Sequence, residues 1–584
     1  MLKTKLPVWD LKDFYPSHDS EIFKNELINL ETLINKFSEH NKGKLLRFSE
    51  KKLETMIKDF EKIEEIIVKI KSYIFLFHCT DQLNQKKTTF YQKIKEKITT
   101  LESKLIFFGL EINKIPEKKI QKIKKSKYFS WLQLQRKFKK YQKTESVEKI
   151  LLDKSITSSN SWIRLFDETM ARLKFDFRGK KLNESQVLNL LSSNDQLKRK
   201  EAAKSFGKTL SENIHLFSRI TNTLSKDLQI ENSIRGFEDV DTSRHLSNQV
   251  DPKDVDCLAN TVQENYKNLS HRYYKYKAKV FKVKKLNYWD RNAPYPGQQV
   301  QNIPWDQAKK IVVDSYKKFD ERISNIVELF FNNSWIHASV QNGKTSGAFA
   351  HPTVPSVHPY ILLNYQNKVR DVMTLSHELG HGVHQYLANK NGLLLSDTPL
   401  TLAETASVFG EMLTFRSILS NTKSIKQKKI VLRSKIEDML NTVIRQISFY
   451  QFEKKLHKKR IKGELSVDEI SNIWIKTQKD SLGNHIKIED DYKYFWAYIP
   501  HFIHSPFYVY AYAFGDCLVN SLYSKYEDGI KNFNDNYIFL LKSGGTLNYT
   551  SLLNKFDLNP KDPQFWQSGL NLINKLIDDL EELG

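Results

Sequence analysis

Apolar residues in EIFKNELINLETLINKFSEH (21–40) fall at three- and four-residue steps. That spacing predicts an amphipathic helix ending near NKGK. SEKKLETMIKDFEKIEEIIVKIKSYIFLFH (49–78) repeats the pattern and opens on Ser49, a suitable N-cap. The period continues through 88–115, with IPEKK as a break. The texture changes near 160, in SNSWIRLFDETMARLKFDF (159–177), and 194–237 reads as paired helices. The stretch 276–296 leads into a Pro/Gly-containing connection. Clear strand-like alternation comes only at 334–365, where NGK and SGAF supply the turn signals of a small sheet. After 365 the helical period runs to the end, and no internal repeat is visible. The predicted fold is mainly α and multi-helical, with a small β-sheet next to the helix that begins near 370.

Composition narrows the class. Hydrophobic residues make up 40% and aromatics 12%, enough to bury a substantial core and to exclude wholesale disorder. A chain of 584 residues exceeds one core, so more than one structural unit is expected. Cys79, Cys257 and Cys517 lie far apart without CxxC pairing, which points away from a disulfide framework or an all-cysteine zinc site and toward a reducing compartment. There is no signal-peptide h-region at the N-terminus and no apolar run long enough for a membrane helix. The expectation is a cytoplasmic protein, with a monomer favoured and no membrane partner. The formal net charge is +24, but the lysines are spread along the chain and no nucleic-acid motif accompanies them, so no nucleic-acid partner is expected.

The candidate chemistry lies in TLSHELGHGVHQYLAN (374–389). His377 and His381 stand four residues apart, which puts both imidazoles on one helical face, a turn apart, able to converge on one ion. Glu378 sits about 100° around the helix from His377, where a general base would take a proton from water. His384 lies one turn further along the same helix. A straight helix cannot wrap three ligands around one ion, so His384 is read as a neighbour of the site or a substrate contact. Gly380 and Gly382 flank His381 and suggest a close backbone approach or room for substrate. The third ligand is expected on the next helix, in SDTPLTLAETASVFGEMLTFRS, with Ser396 or Asp397 as cap and Pro399 in the first turn. Glu404, twenty-three residues after His381, is the candidate. Glu411 shares its face, either as partner of a ligand imidazole or as a surface carboxylate. One Zn²⁺ per chain is the expected cofactor.

HELGHGVH followed by AETASVFGE resembles the oligoendopeptidase F branch of the thimet-oligopeptidase-like metallopeptidases. Further blocks carry the resemblance along nearly the whole chain: PVWDLKDFYPS (7–17), SWIRLFDETMARLKF (161–175), RGFEDVD (235–241), YYKYKAKVFKVKKLNYWDRNAPYP (273–296), GAFAHPTVPSVHPYILLNY (347–365) and IPHFIHSPFYVYAYAFGDCLVNSLY (499–523). The resemblance implies a deep-channel metallopeptidase, with an N-terminal helical region (1–190) lining the channel and a catalytic zinc domain (191–584). It implies hydrolysis of internal bonds in short unstructured peptides. SGAFAHP (346–352) resembles the strand beside the active helix, where an extended peptide could add by backbone hydrogen bonds; the plain alternative is an ordinary sheet edge. The segment 500–516 resembles the family's His/Tyr segment, which stabilises the oxyanion of the transition state. Its candidates are Tyr510 and His504 first, then His501 and Tyr508, against the alternative that such aromatics are only core. Tyr508 and Tyr512 share a helical face that Tyr510 does not. The rival readings are a carboxypeptidase-type enzyme on the same fold and a non-catalytic basic protein binding RNA or a partner.

Overall fold

Ser20 and Ser49 accept hydrogen bonds from the N–H groups of Phe23 and Lys52 and so start α1 (Glu21–Asn41) and α2 (Glu50–Cys79). Their apolar stripes are buried, with Leu30 and Ile34 on α1 and Ile63, Ile67, Ile70 and Ile74 on α2. The computed structural model describes residues 6–295, 302–345 and 347–584. The helix expected over 88–115 is two helices, Gln85–Ser103 and Ile106–Lys114. The paired helices expected over 194–237 are Gln196–Glu212 and Ile214–Arg235, divided at Asn213. The Pro/Gly connection expected after 295 falls outside the described residues, as does Ser346.

Strands occur at more places than alternation predicts. β1 (Phe175–Phe177) and β2 (Lys180–Leu182) form a hairpin, and β3 (Leu286–Asn287) pairs in parallel with a two-residue strand, Ile486–Lys487. The hairpin turns on Arg178 (φ 49°) and Gly179 (φ 77°), both in the left-handed region that a tight primed turn requires. Strands this short carry too few alternating positions to register as a pattern.

The chain divides into two compact units. The first comprises residues 1–140, 300–421 and 525–557; the second comprises 141–299, 422–524 and 558–584. In the first, β4 (Ile336–His337), β5 (Phe349–His351) and β6 (Tyr360–Leu362) form a three-stranded sheet in the order β4-β6-β5. β4 runs parallel to β6, and β5 runs antiparallel to it, with Ala350 opposite Ile361. β6 is buried at every position, which explains its unbroken apolar run. The N-terminal segment closes over this sheet: the Ala338 N–H donates to the Pro7 carbonyl, and Trp9 and Phe14 pack on Tyr360 at 5.8 and 5.6 Å between ring centres. The buried Lys344 ammonium donates to the carbonyls of His337, Ser339 and Leu363 and so ties the ends of β4 and β6 together.

Directly after the sheet comes α3 (Val369–Ala388), whose first turn is held by Asp371 accepting from the N–H groups of Gln366 and Lys368. Its long neighbour is α4 (Leu400–Asn421). Ser396 and Asp397 do not cap α4. They end a separate short helix, Leu393–Ser396, and Pro399 directly precedes α4. Among the described residues no helix is long and apolar enough to cross a membrane.

Candidate metal centre

α3 packs closely on α4 through Gly380 and on the helix Glu321–Asn332 through Gly382. A Cβ on Gly380 would stand 2.3 Å from the Ala406 carbonyl oxygen and 2.5 Å from Ser407 Cα. A Cβ on Gly382 would meet the Phe330 ring at 2.6 Å. Of the two sequence readings of these glycines, close approach is the one seen. The contact is also held by polar groups. Ser376 Oγ donates to the Gly410 carbonyl at 2.9 Å and pairs with Thr414 at 2.7 Å, and Tyr316 donates to the Ser376 carbonyl at 2.9 Å.

This packing brings His377, His381 and Glu404 together. Glu404 Oε2 lies 3.5 Å from His377 Nε2 and 3.6 Å from His381 Nε2, and one ligand atom from each of the three lies within 4.8 Å of the others. Donors bound at 2.0–2.1 Å on a tetrahedron stand roughly 3.4 Å apart, so the spacing suits a zinc-sized ion. The donor chemistry fits as well. His377 Nδ1 faces Glu411 Oε2 at 3.3 Å, and His381 hydrogen-bonds to the Ala403 carbonyl. With those contacts made by ring N–H groups, lone pairs are left facing Glu404, an assembly of acceptors that calls for a cation. Ser407 Oγ donates to Glu404 Oε2 at 2.7 Å and steadies its carboxylate.

Electrostatics follow from burial and from the two carboxylates. Burial alone would lower His377, but its bond to Glu411 and the charges of Glu404 and Glu411 raise it to about 9. Burial holds His381 down to about 4. Burial opposes ionisation of Glu404, yet the two imidazoles and Ser407 keep its carboxyl below the ordinary range.

Glu378 is buried beside this group. Burial pushes its carboxyl up to about 7, while the Ala350 N–H of β5 favours the charged form. A carboxyl poised near neutrality can both accept and return a proton. His384 stays outside the three-atom cluster. It is buried, its Nε2 lies 3.4 Å from Thr398 Oγ1, it hydrogen-bonds to the Ala403 carbonyl, and burial takes it down to about 3. Glu411 is the imidazole partner, one of the two roles its spacing allowed. Sequence reasoning missed Ala350 and Ala403, which act through backbone atoms that no side-chain pattern reports.

The His/Tyr segment belongs to the second unit. Tyr510 is fully buried, and its hydroxyl is engaged by His245 at 3.0 Å and Asn248 at 2.9 Å. His504 pairs with Asp167 at 2.8 Å and packs against Phe166. His501, Tyr508 and Tyr512 form a half-buried group instead. His501 Nε2 lies 3.2 Å from the Tyr512 hydroxyl, and the Tyr508 and Tyr512 rings are 5.3 Å apart. Tyr508 lies in the turn before the helix Tyr510–Glu527, not on a helical face with Tyr512.

Comparison with known proteins gives two matching family models: Peptidase family M3 over residues 189–572 and Oligopeptidase F over residues 111–175. The chain is 27% identical to Oligopeptidase PepF of Bacillus subtilis over 98% of its own length and 87% of that protein's. It is 25% identical to the chromosomal oligoendopeptidase F of Lactococcus lactis subsp. cremoris, over 98% and 97%. Its fold matches the crystal structure of oligoendopeptidase-F from Enterococcus faecium with a TM-score of 0.73 at 20% identity, covering 97% of this chain and 99% of that one. A crystal structure from Chlamydophila abortus matches with a TM-score of 0.86 at 22% identity, covering 99% and 98%.

Proposed function

The chain belongs to peptidase family M3 and is a metalloendopeptidase acting on oligopeptides, and we propose that its ion is zinc, one per chain, held by His377, His381 and Glu404. The observation that carries this reading is the convergence of those three donor atoms beside a buried Glu378. Zinc, when bound, supplies Lewis acidity to the scissile carbonyl and to the attacking water. Glu378 takes the proton from that water and hands it to the departing amine. Glu411 accepts the His377 Nδ1–H and keeps the lone pair of Nε2 directed at the ion. β5, at the edge of its sheet, takes the extended peptide as an added strand, which orients any sequence through backbone hydrogen bonds.

For the oxyanion, the family resemblance offers Tyr510 and His504, then His501 and Tyr508, and each is to be substituted in turn. The same reading has the enzyme work as a cytoplasmic monomer on short peptides, without nucleic acid or membrane.

The direct test joins metal analysis to cleavage mapping. Purified protein is expected to carry zinc near one equivalent and to cut an internal bond of a quenched fluorescent peptide whose C-terminus is amidated. A chelator should abolish the activity and zinc should restore it. Active protein without zinc would overturn the cofactor assignment, and cleavage only at unblocked C-termini would overturn the endopeptidase reading.

A further inference from the structure

Within the second unit, a cavity of about 50 Å³ is walled mainly by aromatic residues, Tyr492 and Tyr498 among them, and contains Arg291 and Arg445. No carboxylate lines it among the described residues. The contrast with the adjoining residue is informative. Asp290 is buried and fully used: its Oδ1 accepts from Arg199 Nε and Nη2 at 3.0 and 2.8 Å, and its Oδ2 accepts from Asn287 and Gln196. Arg291, one position on, has the Tyr492 hydroxyl as its hydrogen-bonding side-chain partner. Arg445 likewise meets a phenol, with Nη2 3.3 Å from the Tyr498 hydroxyl, and lies over the Phe449 ring at 4.9 Å. Three N–H donors on the wall are buried without a protein partner: Arg291 Nε, Arg445 Nε and Trp289 Nε1. Arg445 also ends a π-helical turn, Asn441–Arg445, set between two α-helices. Such turns are rare and gather at functional sites.

Two guanidiniums and an indole N–H held this way are costly unless acceptors reach them. Aromatic faces offset part of the charge but accept no strong hydrogen bond. The demand is for a small group rich in acceptors and negatively charged. The volume admits only a few heavy atoms. A carboxylate fits: it is planar, singly charged, and offers paired oxygens to a guanidinium fork. Phosphate usually takes helix N-termini or several backbone N–H groups, whereas the unpartnered donors here are two guanidiniums and an indole. Asn292 is exposed at the lining, so the rest of a larger molecule can extend outward.

We propose that this pocket binds a carboxylate, and that its source is the C-terminal end of a short peptide. The carboxylate chemistry stands on the pocket alone; the peptide source rests on the peptidase reading, since each hydrolysis creates a new C-terminal carboxylate.

The test is calorimetric titration of the metal-loaded protein with N-acetylglycine, N-acetylglycinamide and inorganic phosphate. N-acetylglycine should bind at one site, and the amide, which differs only at the carboxylate, should not compete. Arg445→Gln should weaken binding roughly tenfold or more, and Arg445→Lys should recover only part of it, because the ammonium lacks the fork. Arg291→Lys gives the same reading independently should Arg445→Gln fail to fold. His381→Ala separates this pocket from the metal centre: binding should persist in that variant. Binding lost in His381→Ala but intact in Arg445→Gln would overturn the proposal. Equal binding of the amide, tighter binding of phosphate, or no binding of N-acetylglycine up to about 10 mM would overturn it as well.

Discussion

Glu378 is held between opposing influences. Burial favours its neutral form, and the Ala350 N–H favours its charged form. Glu378→Gln keeps the shape and the hydrogen bond but cannot carry the proton. It should retain zinc and fold normally while kcat falls roughly 10²–10⁴-fold. A variant that keeps its zinc and cleaves at the unaltered rate would remove Glu378 from the chemistry. Glu411 makes a different prediction, because it reaches the centre only through His377 Nδ1. Glu411→Gln should still accept that hydrogen bond, but without the charge that strengthens the imidazole as a donor to the ion. Zinc affinity should fall roughly 10–100-fold, measured by competition with a chromophoric chelator, and activity should recover at high zinc. Unchanged affinity would make Glu411 a bystander.

At the scale of elements, the centre depends on α3 meeting α4 at Gly380. The obstacle a methyl group would meet there is backbone, the Ala406 carbonyl and Ser407 Cα. At Gly382 it is the rim of the Phe330 ring, which can turn. Gly380→Ala should therefore destabilise the fold by about 1–3 kcal/mol and lower zinc affinity, while Gly382→Ala should do less of both. Urea unfolding with zinc titration checks the pair, and equal effects would count against the helix contact as the positioning device. These elements also mark what was legible beforehand. His377 and His381 could be read because a four-residue step is a helical contact, and Glu404 because it sits in an apolar stretch one helix on. The burial of Tyr510 left no mark in the sequence. Its burial is decided by His245 and Asn248, more than 250 positions away, and a tyrosine in an aromatic run looks alike in a core and in a site. The Ala350 N–H leaves no trace in the sequence, since every non-proline residue offers one. β1, β2 and β3 escaped because two or three residues hold no measurable alternation.

At the scale of the molecule, the order of the chain and the order of its compact units differ. The change of texture near 160 and the family-model boundary at 189 suggest that a fragment beginning at 191 would hold the whole active centre. The first unit, however, is completed by residues up to 140. Trp9 and Phe14 cover Tyr360 of β6, the Pro7 carbonyl accepts from Ala338, and Ser72 on α2 bonds His351 of β5 at 2.9 Å. Without them the central strand of the sheet lies open to water, and so does one face of β5, the strand whose Ala350 N–H engages Glu378. A fragment of residues 191–584 should therefore contain all four residues His377, Glu378, His381 and Glu404 and still fail to form the centre. It should melt without a sharp transition, bind the dye that reports exposed apolar surface, and carry little zinc. Co-expression with residues 1–190 should restore both the transition and the metal, because the lost contacts are packing contacts that a separate chain can supply. A fragment that alone melts cooperatively and carries one zinc would show that the N-terminal segment only decorates the sheet.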